Sequence, residues 1–170
     1  MRLKISLVTS ILALLISCKK VVKDKHTISK EANNSVKITE AANQFEDLEG
    51  SPIALADYKG KRILLNYWAT WCRPCLEEMP SLLRAQATLE KENYIILLAS
   101  DQSVAVIKAF KQKQGYDFNF LKYNGSWAEQ NISSLPTMFI YNEEGEKKEK
   151  IVGGVTWDSP EVIQKLKNTH

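Results

Sequence analysis

The sequence predicts one α/β domain, a mixed central sheet with helices on both faces and an N-terminal β-hairpin extension. Three observations lead there. From residue 39 onward, turn signals separate apolar runs in the order strand, helix, strand, helix, strand, strand, helix. Two of those runs, residues 63–69 and 94–99, are almost unbroken in apolar side chains, the pattern of strands covered on both faces. The 170 residues are 44% apolar, enough to fill one core and too few for two domains plus tails.

The elements follow in order. Residues 43–55 read as the small hairpin, with Gly50-Ser51-Pro52 at its turn, and Lys59-Gly60-Lys61 turns the chain into the first central strand. That strand runs straight into Trp71-Cys72-Arg73-Pro74-Cys75. Residues 76–91 have helix-forming composition with apolar Met79, Leu82, Leu83, Ala87 and Leu89; Pro80 inside this stretch is expected to kink it. Residues 94–99 are the second buried strand. Ser103 caps a helix running to residue 114, which Gly115 ends. Residues 118–121 read as a short strand and 127–131 as one helical turn. Residues 137–141 and 147–152 form a hairpin around Asn142-Glu143-Glu144-Gly145, and Ser159-Pro160 supplies the cap and first position of the last helix.

Ahead of this domain, residues 1–17 have the form of an export signal. Arg2 and Lys4 make a positive start, an apolar run follows, and Leu15-Ile16-Ser17-Cys18 closes it; the run is short for a bilayer span. The close resembles a bacterial lipobox, which implies cleavage before Cys18 and a lipid on its sulfur. An ordinary secretory signal with an incidental cysteine, or an uncleaved anchor, also fits. Each places the domain outside the cytoplasm, in the cell envelope. Residues 18–38 then form a lysine-rich tether, either lying against anionic headgroups or simply solvated, and residues 39–170 form the domain. The balance of 23 basic against 20 acidic residues gives a net charge of +3, no field with which to hold nucleic acid.

There are three cysteines, and with Cys18 lipidated only Cys72 and Cys75 remain. A structural disulfide framework needs more pairs, and a zinc site needs four ligands. The two histidines, His26 and His170, fall in tails, so neither a metal nor another cofactor is expected. A Cys-x-x-Cys pair at a strand-to-helix junction sets the first sulfur at a helix N-terminus, where free amides and the helix dipole stabilise a thiolate. Cys72 is therefore the expected nucleophile. Cys75 lies within disulfide reach as the resolving thiol, Arg73 is expected to lower the thiol pKa further, and Pro74 stiffens the first turn. A static disulfide is the alternative.

The run Asn66-Tyr67-Trp68-Ala69-Thr70-Trp71-Cys72-Arg73-Pro74-Cys75, followed by Glu78-Met79-Pro80, resembles the TlpA/ResA-like family of extracytoplasmic thioredoxins. The likeness extends through most of residues 45–166, including the Gly60-Lys61 turn and Leu135-Pro136-Thr137-Met138-Phe139-Ile140-Tyr141 with Gly145 beyond. It implies a thioredoxin-like fold and a redox-active disulfide between Cys72 and Cys75. It also implies that Pro136 is cis and lies beside the cysteines, with the backbone at Leu135 and Pro136 free to pair with an extended client segment. By sequence pattern alone Pro136 is equally an ordinary strand-edge proline. Ordinary thioredoxins carry a buried aspartate where this chain has Asn66, whose amide cannot take a proton. Glu78, on the same helical side as Cys75, matches the acidic residue that ResA-like proteins place near their disulfide. It is the candidate proton acceptor, with Glu77 turned to solvent; both are otherwise first-turn acids favoured by the helix dipole. Trp71 is a candidate for shielding the sulfur and docking partners, whereas Tyr67 reads as core.

The resemblance implies a thiol-disulfide oxidoreductase, most simply a reductase of disulfides in exported proteins. Apocytochrome c, in cytochrome c biogenesis, is a family-typical client. It further implies re-reduction by a membrane thiol transporter of the CcdA or DsbD type, since no dinucleotide fingerprint supplies a built-in reductant. A peroxidase fits less well, because the local cysteine pattern differs, and a copper chaperone lacks its histidine. The alternative from another class is a thioredoxin-fold lipoprotein that binds peptides or proteins with little turnover.

Overall fold

The computed structural model describes residues 44–169. The export signal (1–17), Cys18 and the tether (18–38) lie outside them. Strands β1 (Phe45–Glu46) and β2 (Pro52–Ile53) form the short hairpin, with Gly50 at φ 89° in its turn. A 3-10 helix over Leu55–Tyr58 leads to β3 (Arg62–Tyr67), α1 (Arg73–Lys91), β4 (Tyr94–Ser100), α2 (Val104–Gln114) and β5 (Asn119–Tyr123). The second hairpin, β6 (Thr137–Tyr141) and β7 (Lys147–Val152), precedes α3 (Pro160–Lys167).

The seven described strands make one sheet in the order β2-β1-β5-β4-β3-β6-β7. β3, β4 and β5 are parallel, while β6 lies antiparallel to β3. Both parallel crossovers step in the same direction across the sheet, and a right-handed connection then carries α1 and α2 to one face. Their buried residues do share one cluster, Met79, Leu82 and Leu89 from α1 with Ile107 and Phe110 from α2, joined by Leu166 of α3. The opposite face is covered by Leu55 and Tyr58 of the 3-10 helix and by Trp127 and Ile132. Among the described residues, the helical cover is thus three α-helices against a single 3-10 helix.

Period-two alternation along β3 shows how the sequence sorts these faces. Ile63, Leu65 and Tyr67 join the second cluster, Leu64 and Trp68 the first, so Asn66 is committed to the side of α1. Ser103 accepts from the Val106 amide and caps α2, and Gly115 takes the left-handed conformation at its end. α1 runs unbroken through Pro80, which lacks the N–H that would bond the Leu76 carbonyl. Residues 127–131, expected as a helical turn, are instead a bonded turn: the Ile132 amide donates to the Trp127 carbonyl and Asn131 sits at φ 54°.

Candidate active site

The C-terminal ends of parallel strands are the usual place for a site in a sheet of this kind. Here β3 ends at Tyr67 and five residues later Cys72 is the N-cap of α1, with extended backbone at φ −83° and ψ 96°. Its Sγ accepts from the Cys75 amide at 3.3 Å and is bonded to Cys75 Sγ, the two Cα atoms standing 5.3 Å apart. The cap position sets the first cysteine apart from the second. Freed by reduction, its sulfur already faces an amide donor and the positive end of a 19-residue helix. Cys72 is 4% exposed and Cys75 0%, so only Cys72 is within reach of a partner.

The turn ahead of Cys72 is held by one side chain that the sequence pattern did not disclose. Gln102, just past β4, accepts from the Thr70 amide at 2.7 Å and donates to Thr70 Oγ1 at 2.9 Å. Trp71 is 70% exposed, the largest apolar side chain left uncovered among the described residues. An exposed indole beside a reactive sulfur is a ready contact for an apolar segment of another chain. Tyr67, by contrast, is buried among Phe45, Tyr123, Trp127 and Phe139.

The Leu135–Pro136 peptide bond is cis. Register places it near the cysteines: Tyr67 pairs with Thr137, so the residue before Thr137 lies level with Trp68, where β3 leaves the sheet for Cys72. The Pro136 carbonyl accepts from the Gly153 amide at 2.9 Å, and the next residue, Gly154, packs toward Pro74 between the two cysteines. Leu135 is partly buried against both core clusters.

Arg73 is 89% exposed and its Nε donates to Glu77 Oε1 at 2.7 Å, so its charge is shared with a neighbouring carboxylate. Glu77 is turned to solvent, as expected. Glu78 goes the other way: it is 4% exposed, one turn beyond Cys75. Asn66 Nδ2 donates to its Oε1 at 2.7 Å, and the Val155 amide and Trp157 Nε1 donate to its Oε2 at 3.1 and 3.2 Å. Burial pushes the Glu78 carboxyl above the usual carboxylate range, and these three donors only partly oppose it. A surface cleft of about 220 Å³ is lined by Pro74, Glu77, Glu78 and the 154–156 segment.

The segment after β7 is fastened to α1 at several points. Ser81 Oγ donates to the Glu78 carbonyl at 2.8 Å and accepts from the Trp157 amide at 3.1 Å, and Arg84 pairs with Asp158 at 2.6 Å. Sequence reasoning found Asn66 and Glu78 separately and missed Trp157 and Val155. The available signal was a tryptophan two residues ahead of a helix cap: a buried indole N–H seeks an acceptor.

Comparisons with known proteins agree with this geometry. The AhpC/TSA family profile matches residues 35–148. The chain is 36% identical over 153 residues to a thiol-disulfide oxidoreductase ResA of Bacillus cereus, covering 85% of this chain and 81% of that protein. It is 34% identical over 128 residues to the thioredoxin-like protein YneN of Bacillus subtilis (strain 168), covering 72% and 73%. Among solved structures, the exposed lipoprotein thioredoxin Etrx1 of Streptococcus pneumoniae strain TIGR4 superposes with a TM-score of 0.58 at 27% identity, over 75% of this chain and 98% of that one.

Proposed function

Because the chain belongs to the AhpC/TSA family, and within it to the ResA-like thiol-disulfide oxidoreductases, we propose that it is a membrane-anchored reductase of disulfides in exported proteins. The observation that carries this reading is the Cys72–Cys75 pair at the start of α1, with the first sulfur accepting an amide hydrogen bond and the second fully buried.

In the reduced enzyme, Cys72 thiolate attacks one sulfur of a client disulfide; the client S–S bond breaks and its other sulfur leaves as a thiolate. Cys75 then gives its proton to the Glu78 carboxylate and attacks Cys72 Sγ, which expels the second client thiolate and closes the Cys72–Cys75 disulfide. Two electrons and, after proton uptake, two protons have passed to the client. Trp71 and the Leu135–Pro136 backbone form the client-docking surface. Glu78 suits its role because burial raises its pKa above that of a solvated carboxylate and so strengthens it as a base.

The anchor in this reading is a lipid on Cys18, with residues 18–38 as tether. No described helix is long and apolar enough to cross a membrane, and the pneumococcal relative is itself described as an exposed lipoprotein. Electrons return through a membrane thiol transporter of the CcdA or DsbD type, and apocytochrome c is the family-typical client to test first. The deciding experiment is insulin reduction with dithiothreitol, together with the equilibrium potential of the Cys72–Cys75 couple against glutathione. A reductase accelerates insulin reduction and has a potential well below that of glutathione; a module that only binds gives no acceleration, and an oxidising potential reverses the direction.

A further inference from the structure

Asn66 is connected to Glu78 by one end only. Its Nδ2 donates to Glu78 Oε1 at 2.7 Å, while its Oδ1, equally buried, has no hydrogen-bond partner among the described residues. On the other side of the carboxylate, Oε2 already accepts from the Val155 amide and from Trp157 Nε1. A proton arriving on Oε2 would have to displace one of those two fixed donors. Oε1 is therefore the oxygen that can be protonated, and there the new O–H meets a side chain holding an unused acceptor.

The two ends of a primary amide are nearly the same size, so a half-turn about the last side-chain torsion exchanges donor for acceptor without altering packing. We infer that Asn66 is a positioning residue that turns its amide as Glu78 gains and loses its proton. It donates through Nδ2 to the carboxylate and accepts through Oδ1 from the carboxylic acid. The inference rests on the reading of Glu78 as proton acceptor and adds what lets one buried group serve in both states. Each protonation state of Glu78 finds a hydrogen bond at Oε1, and each leaves the opposite end of the same amide unpaired, so the amide holds the carboxyl in place without locking its charge. Alanine or leucine would leave Oε1 without a partner in both states. Aspartate would set a second carboxyl against the first and tie their protons together.

Apart from the Cys75 thiol, which in the proposed cycle passes its proton to Glu78, the charged groups on the neighbouring elements are paired elsewhere. Glu77 and Arg73 on α1 are exposed and paired with one another, and Arg84 on the same helix is paired with Asp158 from the segment before α3. β3 contributes only the neutral amide, and the 155–157 segment contributes a backbone N–H and an indole N–H.

The test is NMR titration of the reduced full chain, following the Glu78 side-chain carbon and the Asn66 side-chain amide. The expected result is one shared midpoint, with the Asn66 NH₂ signals losing their hydrogen-bonded shift as Glu78 takes up its proton. Asn66→Leu, which removes a hydrogen bond from both states, should move the Glu78 midpoint little and lower kcat for client reduction about tenfold, the kinetic equivalent of one buried hydrogen bond, with KM unchanged. Trp157→Phe, which removes a donor to the carboxylate, should raise the midpoint but leave the Asn66 response intact. A Glu78 titration with unmoved Asn66 signals overturns the inference and leaves the proton-acceptor reading standing. Absence of any Glu78 titration between about pH 4 and about pH 9, the span in which buried carboxyls titrate, overturns both.

Discussion

Trp157 Nε1 reaches back to donate to Glu78 Oε2 at 3.2 Å, so the indole that seats the entrance to α3 also holds the carboxylate one turn beyond Cys75. Glu78 is in this way fixed from both sides, by β3 and by the segment after β7, while Glu77 beside it faces water.

That difference predicts unequal effects of two neighbouring substitutions. Glu78→Gln should slow client reduction by about 10²-fold, the lower end for general acid–base catalysis, while leaving Cys72 alkylation mostly intact. Glu77→Gln should change turnover little. Equal small effects with unchanged pH–rate profiles would return the proton to water.

The same carboxyl should leave a signature in stability. The native state holds the Glu78 proton to a higher pH than the unfolded chain, whose glutamates titrate near about 4.3. Between those midpoints the native state binds more protons, so this contribution is complete below the unfolded midpoint and is lost as pH rises through the native one. Thermal unfolding should show the Tm of the wild type falling relative to Glu78→Gln as pH rises above the unfolded midpoint, and levelling off once the native carboxyl has ionised. A constant difference would place Glu78 among ordinary solvated acids.

Cysteine replacement should separate nucleophile from resolving thiol. Cys75→Ala leaves Cys72 able to attack and nothing to release the client, so mixed disulfides should accumulate; Cys72→Ala should trap none. Non-reducing electrophoresis of cell extracts reads the outcome, and trapping by Cys72→Ala alone would reverse the roles.

Arg73→Ala should alter the alkylation rate of Cys72 less than about threefold, since its exposed guanidinium is screened by water and already paired with Glu77. A tenfold slowing at neutral pH would restore the guanidinium as an activator of the sulfur.

For the anchor, mass spectrometry of the protein from membranes should find a diacylglycerol on an N-terminal Cys18, and Cys18→Ser should abolish it. An unmodified Cys18 in the native protein would overturn the lipid anchor.

What the sequence disclosed was mostly local. Ser103, Gly115 and Ser159 act within a few residues of where they stand, and the cysteine pair needs only one helical turn to become a redox site. Asn66 and Glu78 were legible as types, because a strand parity and a helix periodicity fix which way each points. Their contact was less so, and the donors from Val155 and Trp157 lie 77 and 79 residues away from Glu78. One of these is a backbone amide, which no side-chain letter announces. Arg73 looks like a partner of Cys72 by adjacency in the chain, whereas helical spacing delivers it to Glu77. The placement of α1 and α2 on one face became readable only with the strand order, since that follows from the direction of two successive crossovers.

With Cys75 sealed in the core, every thiol that enters or leaves the exchange must pass through the single sulfur of Cys72. A client and an electron donor cannot both be engaged, so the enzyme has one port serving two traffics in turn. Its steady-state kinetics should be ping-pong, and a client present in excess should slow its own supply of electrons by standing in the doorway through which the donor must come.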